Sequence, residues 1–465
     1  MSGVGFFIAA LSLAAVPQDA GDEERAREYL ERAEELASQG RYRAAWNKYL
    51  NAMVKYPETE AGRIARRRIG EGSGYLGYAY LVQTGPSRNR VDVCILGDGF
   101  KLESQESFDR LADDVPGLFA REDTFREYLD YFNFLRVNLF SKDTGIELST
   151  REKNTALRGR SGGRSGRTRV SNQRVFQWLD ELPEDDGLAI VFVPSGSRGY
   201  GGNGVVTVGG RADERIFHDF GAAFAGLASE SSNSNDGRGD VREAPNLSAS
   251  KIPEMVPWRH WLEAGARDVG IYRGGNGSAS GTFKPNVQDC HMSRGNEYCR
   301  VCREAVVLAI YRWVDPIDEV LEPTPHEFPF RNDASPLRLG EDQELVFRVR
   351  VMQPRSHRLE VRWYLVDAAR APARPRGPRR NAIGARDSRG ALRPIQAEPL
   401  AETRPDRRGI HTLKLEYRDL RPGNWRLICR VRDTTKFRGE RWPWVLADPR
   451  GLLESERGWW IVVEP

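Results

Sequence analysis

The residues best suited to chemistry lie between positions 213 and 231, in the segment DERIFHDFGAAFAGLASES. Its large apolar residues recur at helical spacing, which predicts a helix with one face toward a core: Ile216, Phe220, Phe224 and Leu227. A second stripe carries a histidine: His218, Ala222, Ala225 and Ser229. An imidazole can bind a metal or transfer a proton, but a lone histidine among small residues is most often a packed, hydrogen-bonded side chain.

A second constellation has the spacing C-H-x7-C-x2-C and contains Cys290, Cys299 and Cys302. It fits either a metal site or one disulfide plus a leftover thiol, and in an oxidising compartment the disulfide is favoured. The spacing leaves open which pair is bonded. The remaining cysteines, Cys94 and Cys429, lie in strand-like runs and are interpreted as buried hydrophobic residues.

A glycine-rich turn, GYGGNG, occupies residues 199–204 and precedes the strand-like letters VVTV. A dinucleotide site needs a helix after such a motif, so a nucleotide site is excluded. The pattern instead indicates close backbone approach beside an edge strand, either within the fold or to an extended ligand.

Together these segments resemble the bacterial IgA metallopeptidases, whose site helix reads approximately H-E-F-G-H-S-F-G-G-L-A-D-E-Y. The gapless alignment retains eight positions: His218, Phe220, Gly221, Phe224, Gly226, Leu227, Ala228 and Glu230. Flanking segments agree in the same order, among them VDVCILGDGF, the YGGNG turn, PWRHWLEAG and CHMSRGNEYCRVCREAVVLAIYRW. The resemblance implies a zincin-like α/β peptidase domain over residues 85–318, with a substrate cleft that includes Tyr200, Gly201, Gly202 and Met292.

The departures from the family pattern fall on its chemistry. In H-E-x-x-H, two histidines four residues apart bind zinc and the glutamate acts as general base. Here the second histidine is Ala222, and Asp219 replaces the base with a carboxylate about 1.5 Å shorter in reach. Ser229 stands at the acidic position expected to help hold the metal. The resemblance therefore predicts a peptidase homologue that lacks zinc.

A rebuilt metal site is the alternative. His291 precedes the methionine of a Cys-x-Met segment similar to the turn beneath zinc in related peptidases. It could join His218 as a ligand, with Asp219 or Glu230 as the third, and zinc would then be the cofactor.

The rest of the chain supplies three further segments. Residues 1–20 contain an apolar run too short to span a membrane and small residues suited to signal-peptidase cleavage, which predicts export to the periplasm, cell surface or medium. Residues 21–72 have helical spacing broken at Gly40, which predicts a helical hairpin similar to a tetratricopeptide unit. Residues 327–465 alternate apolar and polar letters, which predicts an immunoglobulin-like β-sandwich.

Residues 157–169 form a Gly, Ser and Arg tract that predicts a mobile loop, to which no function is assigned, and residues 368–380 form a Pro and Arg tract that predicts a disordered loop within the β region. The net charge of +4 over 465 residues gives no electrostatic footprint for nucleic acid.

The sequence thus favours an exported, non-catalytic peptidase homologue that binds an extended polypeptide or glycoprotein. An active zinc metallopeptidase, or a protein in which the β-sandwich alone binds the partner, are the competing hypotheses.

Overall fold

The computed structural model describes residues 20–69, 73–148, 151–162, 166–196, 198–232, 244–287, 290–325, 335–368, 379–380, 386–387 and 392–465. The predicted signal segment, apart from residue 20, and most of the 368–380 tract lie outside these ranges. The chain divides into two compact units, residues 1–78 and 79–465. Within the described ranges, no helix combines the length and apolar character needed to cross a bilayer.

The first unit is helical: α1 (Ala20–Ser38), α2 (Tyr42–Lys55) and α3 (Glu60–Ile69), followed by strand β1 (Gly74–Val82). Gly40 lies in the turn between α1 and α2, and its φ of 74° is a left-handed conformation that suits glycine. Small and aromatic residues form the buried face, including Ala33, Ala45, Tyr49 and Ala52. Helices α1 and α2 lie on either side of Gly40, and α3 follows them. The helical hairpin stays a prediction. The likeness to a tetratricopeptide unit stays a prediction.

The larger unit begins with an α/β region. Its elements are β2 (Val91–Gly97), α4 (Gln105–Phe119), α5 (Asp123–Glu127), β3 (Phe132–Phe140), β4 (Arg160–Gly162), β5 (Arg167–Arg169), α6 (Asn172–Leu179), β6 (Ala189–Val193), β7 (Tyr200–Gly202), β8 (Val205–Gly209), α7 (Ile216–Ala225), α8 (Arg259–Glu263), β9 (Tyr272–Gly275), β10 (Ser278–Lys284) and α9 (Arg300–Trp313).

The main sheet has the order β1-β3-β2-β6-β8-β7, and β1 belongs to this unit from residue 79 onward. Strands β3, β2, β6 and β8 are parallel, whereas β7 pairs antiparallel with β8 at the sheet edge. Every residue of β2, β3 and β6 is buried, as expected for apolar parallel strands with both faces covered. The predicted combination of helices and sheet is confirmed, while the zincin-like topology stays a prediction.

The β region that follows contains β11 (Ile317–Glu322), β12 (Leu337–Leu339), β13 (Glu344–Val351), β14 (Glu360–Asp367), β15 (Arg379–Arg380), β16 (Arg386–Asp387), β17 (Ala401–Glu402), β18 (Ile410–Glu416), β19 (Gly423–Arg432) and β20 (Glu454–Val463). Its two larger sheets have the orders β11-β13-β18 and β12-β20-β19-β14-β17. The ring of Phe347 in the smaller sheet contacts Trp363 and Trp459 in the larger one, with centroids 6.3 and 5.2 Å apart. The two sheets therefore share a core, and the immunoglobulin-like classification stays a prediction.

The predicted boundary between residues 85–318 and 327–465 lies inside the larger unit. One continuous cluster of buried side chains extends from Val91 in β2 to Val463 in β20. The division of this unit into two domains therefore stays a prediction.

A buried charged cluster joins α5 to the β region. His357 Nδ1 lies 2.9 Å from Glu127 Oε1, and its Nε2 lies 2.7 Å from Asp433 Oδ1. The hydroxyls of Tyr128 and Tyr311 donate to the other Asp433 oxygen at 3.0 and 2.6 Å. Burial lowers the pKa of His357, but the Asp433 and Glu127 carboxylates outweigh it and raise the pKa to about 9, so the imidazole is positively charged at neutral pH.

Candidate functional site

Helix α7 carries the residues of the peptidase-like motif. Its apolar stripe faces the core, with Ile216, Phe220 and Phe224 at 3, 0 and 7% exposure. The helix ends at Gly226, whose φ of 68° is left-handed, and the N–H of Leu227 donates back to the Gly221 carbonyl at 3.2 Å. The helix is therefore shorter than the sequence pattern predicts. Leu227 and Ser229 are buried in the segment after the helix and are not part of it.

The side chain at the general-base position is engaged by an arginine. Asp219 Oδ1 lies 3.6 Å from Arg167 Nη1 and 3.2 Å from His218 Nδ1. Arg167 is only 8% exposed, and Asp219 is half-buried at 16%. The carboxylate is therefore engaged in an ion pair with Arg167.

The arginine comes from the tract predicted to be a mobile loop, and the loop prediction is wrong for the residues of this tract that form strands. Residues 160–162 and 167–169 form the antiparallel pair β4 and β5. Arg169 stacks over the Tyr200 ring with its guanidinium carbon 4.1 Å from the centroid. The tract lacked apolar partners in the sequence, but its arginines pack on a carboxylate and an aromatic ring.

The glycine-rich turn packs directly on α7. A Cβ at Gly201 would lie 1.8 Å from the Asp219 carbonyl oxygen, and one at Gly199 would lie 2.9 Å from Asp219 Oδ2. Only glycine permits this approach without displacing backbone. The predicted close approach is confirmed within the fold. Tyr200, Gly201 and Gly202 are half-buried along the edge strand, and their role in a substrate cleft stays a prediction.

His291 lies in the interior near α7. It is 4% exposed and contacts the rings of Phe217 and Tyr298 at 5.3 and 4.8 Å. Its Nε2 has no hydrogen-bond partner among the described residues, and Glu122 Oε1 is 3.9 Å away. Burial lowers the pKa of His291 to about 4 and raises that of Glu122 to about 7. The imidazole is therefore neutral at physiological pH.

Met292 packs against α7 at Gly221. A Cβ at Gly221 would meet the Met292 sulfur and the Tyr298 hydroxyl at 3.0 Å each. The Tyr298 hydroxyl donates to the Phe217 carbonyl at 2.6 Å. The Cys-x-Met turn is thus packed tightly against the helix, and the contact leaves little room for a side chain at Gly221.

Glu230 joins the three clustered cysteines. We looked for three or more His, Cys, Asp or Glu side chains whose candidate ligand atoms all lie within 4.8 Å of one another. Within the described ranges, one group meets this criterion: Glu230, Cys290, Cys299 and Cys302. We call it the Cys–Glu cluster. The predicted set of His218, His291 and Asp219 or Glu230 is not brought together in this way.

The Cys–Glu cluster is buried and contains no disulfide. Cys290, Cys299 and Cys302 are free thiols, so the predicted disulfide is absent from the structure. The Cys302 thiol donates to Glu230 Oε1 at 3.0 Å, and the Cys299 backbone N–H donates to Cys290 Sγ at 3.3 Å. Cys299 and Cys302 are three residues apart at the start of α9, which puts both on one face of the helix.

The protonation of the cluster reflects its burial. Burial raises the pKa of Glu230 to about 8. Hydrogen bonds from the thiols of Cys299 and Cys302, with backbone N–H groups, lower the pKa of Cys290 well below its usual range. The environment therefore favours one thiolate beside a carboxyl group that retains its proton at neutral pH.

Comparison with known proteins gives one family for this region. The sequence model of the IgA peptidase M64 family matches residues 79–267, which is less than half of the chain. This segment is related to the IgA peptidases of family M64. The match includes α7 and Glu230 and ends before the three cysteines. Among curated proteins, none matches this chain.

The residues of α7 do not fit the zinc ion that an active IgA metallopeptidase would use. The M64 relationship implies two imidazoles and a free carboxylate at this face. The chain has one imidazole at His218, no lone pair at Ala222, and a carboxylate at Asp219 that is paired with Arg167.

Sequence reasoning missed two features of this region. It identified Glu230 as a candidate ligand of the α7 site and the cysteines as a disulfide, but not that the two belong together. The C-x2-C spacing carried part of that signal. It also missed Arg167, because nothing in a Gly, Ser and Arg tract indicates which carboxylate an arginine will reach.

Proposed function

We propose that residues 79–267 are a non-catalytic homologue of the IgA peptidases that binds an extended polypeptide or the protein part of a glycoprotein. The observation that carries the proposal is the Asp219–Arg167 ion pair at the general-base position. It occupies the carboxylate that would have to accept a proton from water, and Ala222 removes a ligand from the same helical face.

The polypeptide ligand is argued from the edge strand. β7 is the last strand of the main sheet, lies against α7 and pairs on one side with β8. An extended chain can add to such an edge through backbone hydrogen bonds, while side-chain pockets select its sequence. Tyr200 is half-buried and fixed by Arg169, so it offers a preformed aromatic surface beside that edge.

Binding is tested with the full chain and a fluorescently labelled unstructured polypeptide such as casein. Tyr200→Ala should weaken binding at least about 10-fold, the effect of losing roughly 1.4 kcal/mol of contact. Tyr417→Ala removes a half-buried tyrosine far along the chain and is the matched control. Equal binding by both variants and the wild type would place the ligand elsewhere.

Catalysis is tested separately in zinc-supplemented buffer with the same polypeptide. The wild type should not hydrolyse it. Hydrolysis that a chelator stops and that His218→Ala abolishes would instead establish the alternative, an active zinc metallopeptidase with a rebuilt site. The repaired variant with Asp219→Glu and Ala222→His should bind zinc at α7, in an amount that His218→Ala removes.

We further propose that the chain is exported, on the strength of the apolar N-terminal segment and the small residues after it. Fractionation of expressing cells with a C-terminal epitope would show the protein outside the cytoplasm and shortened near residue 20. A full-length cytoplasmic protein would contradict export without affecting the binding proposal.

A further inference from the structure

We propose that the Cys–Glu cluster is a structural zinc site in which Cys290, Cys299, Cys302 and Glu230 supply four ligands to one ion. The site is separate from the α7 surface of the peptidase-like motif, and the proposal does not depend on the function argued above.

The geometry already approaches that of tetrahedral zinc. Zinc–sulfur bonds of about 2.3 Å and zinc–oxygen bonds of about 2.0–2.2 Å place neighbouring ligand atoms roughly 3.6–3.8 Å apart in a tetrahedron. Glu230 Oε1 lies 3.0 Å from Cys302 Sγ and 3.8 Å from Cys299 Sγ, and all four candidate ligand atoms lie within 4.8 Å. Small rotations of these side chains are enough to enclose an ion.

The Glu230 carboxylate also lacks a full set of hydrogen-bond partners among the described residues. Glu230 is fully buried, and its Oε2 has no hydrogen-bond partner among the described residues. A buried polar atom without a partner is destabilising, and more so when it is charged. Its Oε1, by contrast, accepts from Asn246 Nδ2 at 3.0 Å, which orients the carboxylate toward the sulfurs.

The surroundings suit a cluster of negative ligands. Three thiolates and one carboxylate carry more charge than a divalent cation neutralises. The Cys299 N–H points at Cys290 Sγ, and Lys284 Nζ donates to the Glu230 carbonyl at 3.0 Å. Soft thiolate ligands in tetrahedral arrangement select zinc over the hard cations calcium and magnesium.

The ion would join three segments that are distant in sequence. Glu230 follows α7, Cys290 begins the Cys-x-Met turn, and Cys299 and Cys302 begin α9. The Glu230 N–H already donates to the Met292 carbonyl at 2.7 Å. Four protein ligands leave no open position, which is the arrangement of structural rather than catalytic zinc.

A disulfide is the competing state. A bond between any two of the sulfurs would leave the third thiol and Glu230 buried without a common partner. Zinc uses all four groups at once, and we therefore favour it over the bonded form.

The first experiment measures metal and thiols in the purified full chain. One zinc per chain is expected, released when a mercurial reagent titrates the thiols. Cobalt substituted for zinc should show thiolate-to-cobalt charge-transfer absorption, which needs no variant. A metal-free protein whose unreduced mass is lower by two hydrogens would overturn the proposal in favour of the disulfide, and iron in place of zinc would overturn the choice of ion.

Variants locate the ion. Cys302→Ser should weaken zinc binding by more than about 100-fold, since even changes outside the ligand sphere typically cost about 10–100-fold. Glu230→Gln, which keeps the size of the side chain, is a second variant if Cys302→Ser does not fold. Cys94→Ser, also fully buried but outside the cluster, is the matched control and should retain zinc.

Zinc measurements on two variants distinguish this proposal from the proposed function. Zinc retained in Glu230→Gln but lost in His218→Ala would assign the ion to α7, which overturns this proposal and supports the active peptidase. Zinc lost in Glu230→Gln and retained in His218→Ala supports the cluster, whether or not the protein binds a polypeptide.

Discussion

The α7 surface and the Cys–Glu cluster are both formed by the segment that follows β8, yet they differ in how their polar groups are arranged. On α7, His218 and Asp219 are part-exposed and use each other and Arg167 as partners. In the cluster, four candidate ligands converge in the interior and one Glu230 oxygen has no partner among the described residues.

The difference separates resemblance to a metal motif from the convergence of candidate ligand atoms in space. The α7 surface retains the apolar framework of the M64 helix, but its polar residues satisfy one another. The cluster has no H-E-x-x-H letters, but it supplies convergent ligands that protein groups alone leave incomplete.

Removal of the ion should have the largest effect. Treatment of the full chain with a strong chelator should lower the free energy of unfolding by about 5 kcal/mol or more, since structural zinc contributes on the order of 10–16 kcal/mol in zinc-finger peptides. Denaturant titration with and without chelator measures this. His218→Ala should change the free energy of unfolding by less than about 1 kcal/mol. If the chelator and His218→Ala lowered it by equal amounts, the contrast between the cluster and the α7 surface would be lost.

The buried cluster of His357, Glu127 and Asp433 sharpens the comparison, because these side chains are hydrogen-bonded to other protein groups alone. His357→Gln removes the cation between Glu127 and Asp433 and should cost about 3–5 kcal/mol, since it leaves buried carboxylates unpaired. His411→Gln is the control: burial lowers the pKa of His411 to about 4, so no charge is lost there. Denaturant titration of both variants at neutral pH, with zinc present and absent, measures the costs, and a His357 cost that depends on zinc would contradict the distinction.

The same histidine predicts a pH dependence. Its folded pKa of about 9 is above the ordinary value of 6.5, so its contribution is complete below about pH 6.5 and is lost as pH rises through about 9. The loss amounts to roughly 3 kcal/mol at most. Urea titrations across this window should show the decline in the wild type and a flatter profile in His357→Gln. Parallel profiles would mean that other groups cause the decline.

The smallest expected effect tests the support of the α7 surface. Gly201→Ala would place a methyl group 1.8 Å from the Asp219 carbonyl oxygen and should destabilise the protein by about 1–3 kcal/mol through overpacking. Gly202→Ala is the control on the same strand, because its nearest neighbours are atoms of the Tyr200 side chain. Thermal unfolding of the two variants compares them, and a smaller effect at Gly201 would contradict the close packing of β7 on α7.

Part of the site was predictable because it depends on local spacing. The burial of Ile216, Phe220 and Phe224 follows from helical periodicity, and the need for glycine at position 201 follows from the turn beside a strand. The helix end was harder to predict, since Gly226 occurs within letters that continue the apolar pattern. Its left-handed φ ends the helix before Ser229 and Glu230.

The sequence by itself determined the relationship to the M64 peptidases, the mixed helix and sheet content, and the loss of a ligand at Ala222, because these depend on residue identity and short-range order. Only the tertiary structure decided that Arg167 reaches Asp219 and that Glu230 joins Cys290, Cys299 and Cys302. Those contacts join residues that are 52 and up to 72 positions apart, and their pairing is set by how strands and helices pack rather than by any pattern along the chain.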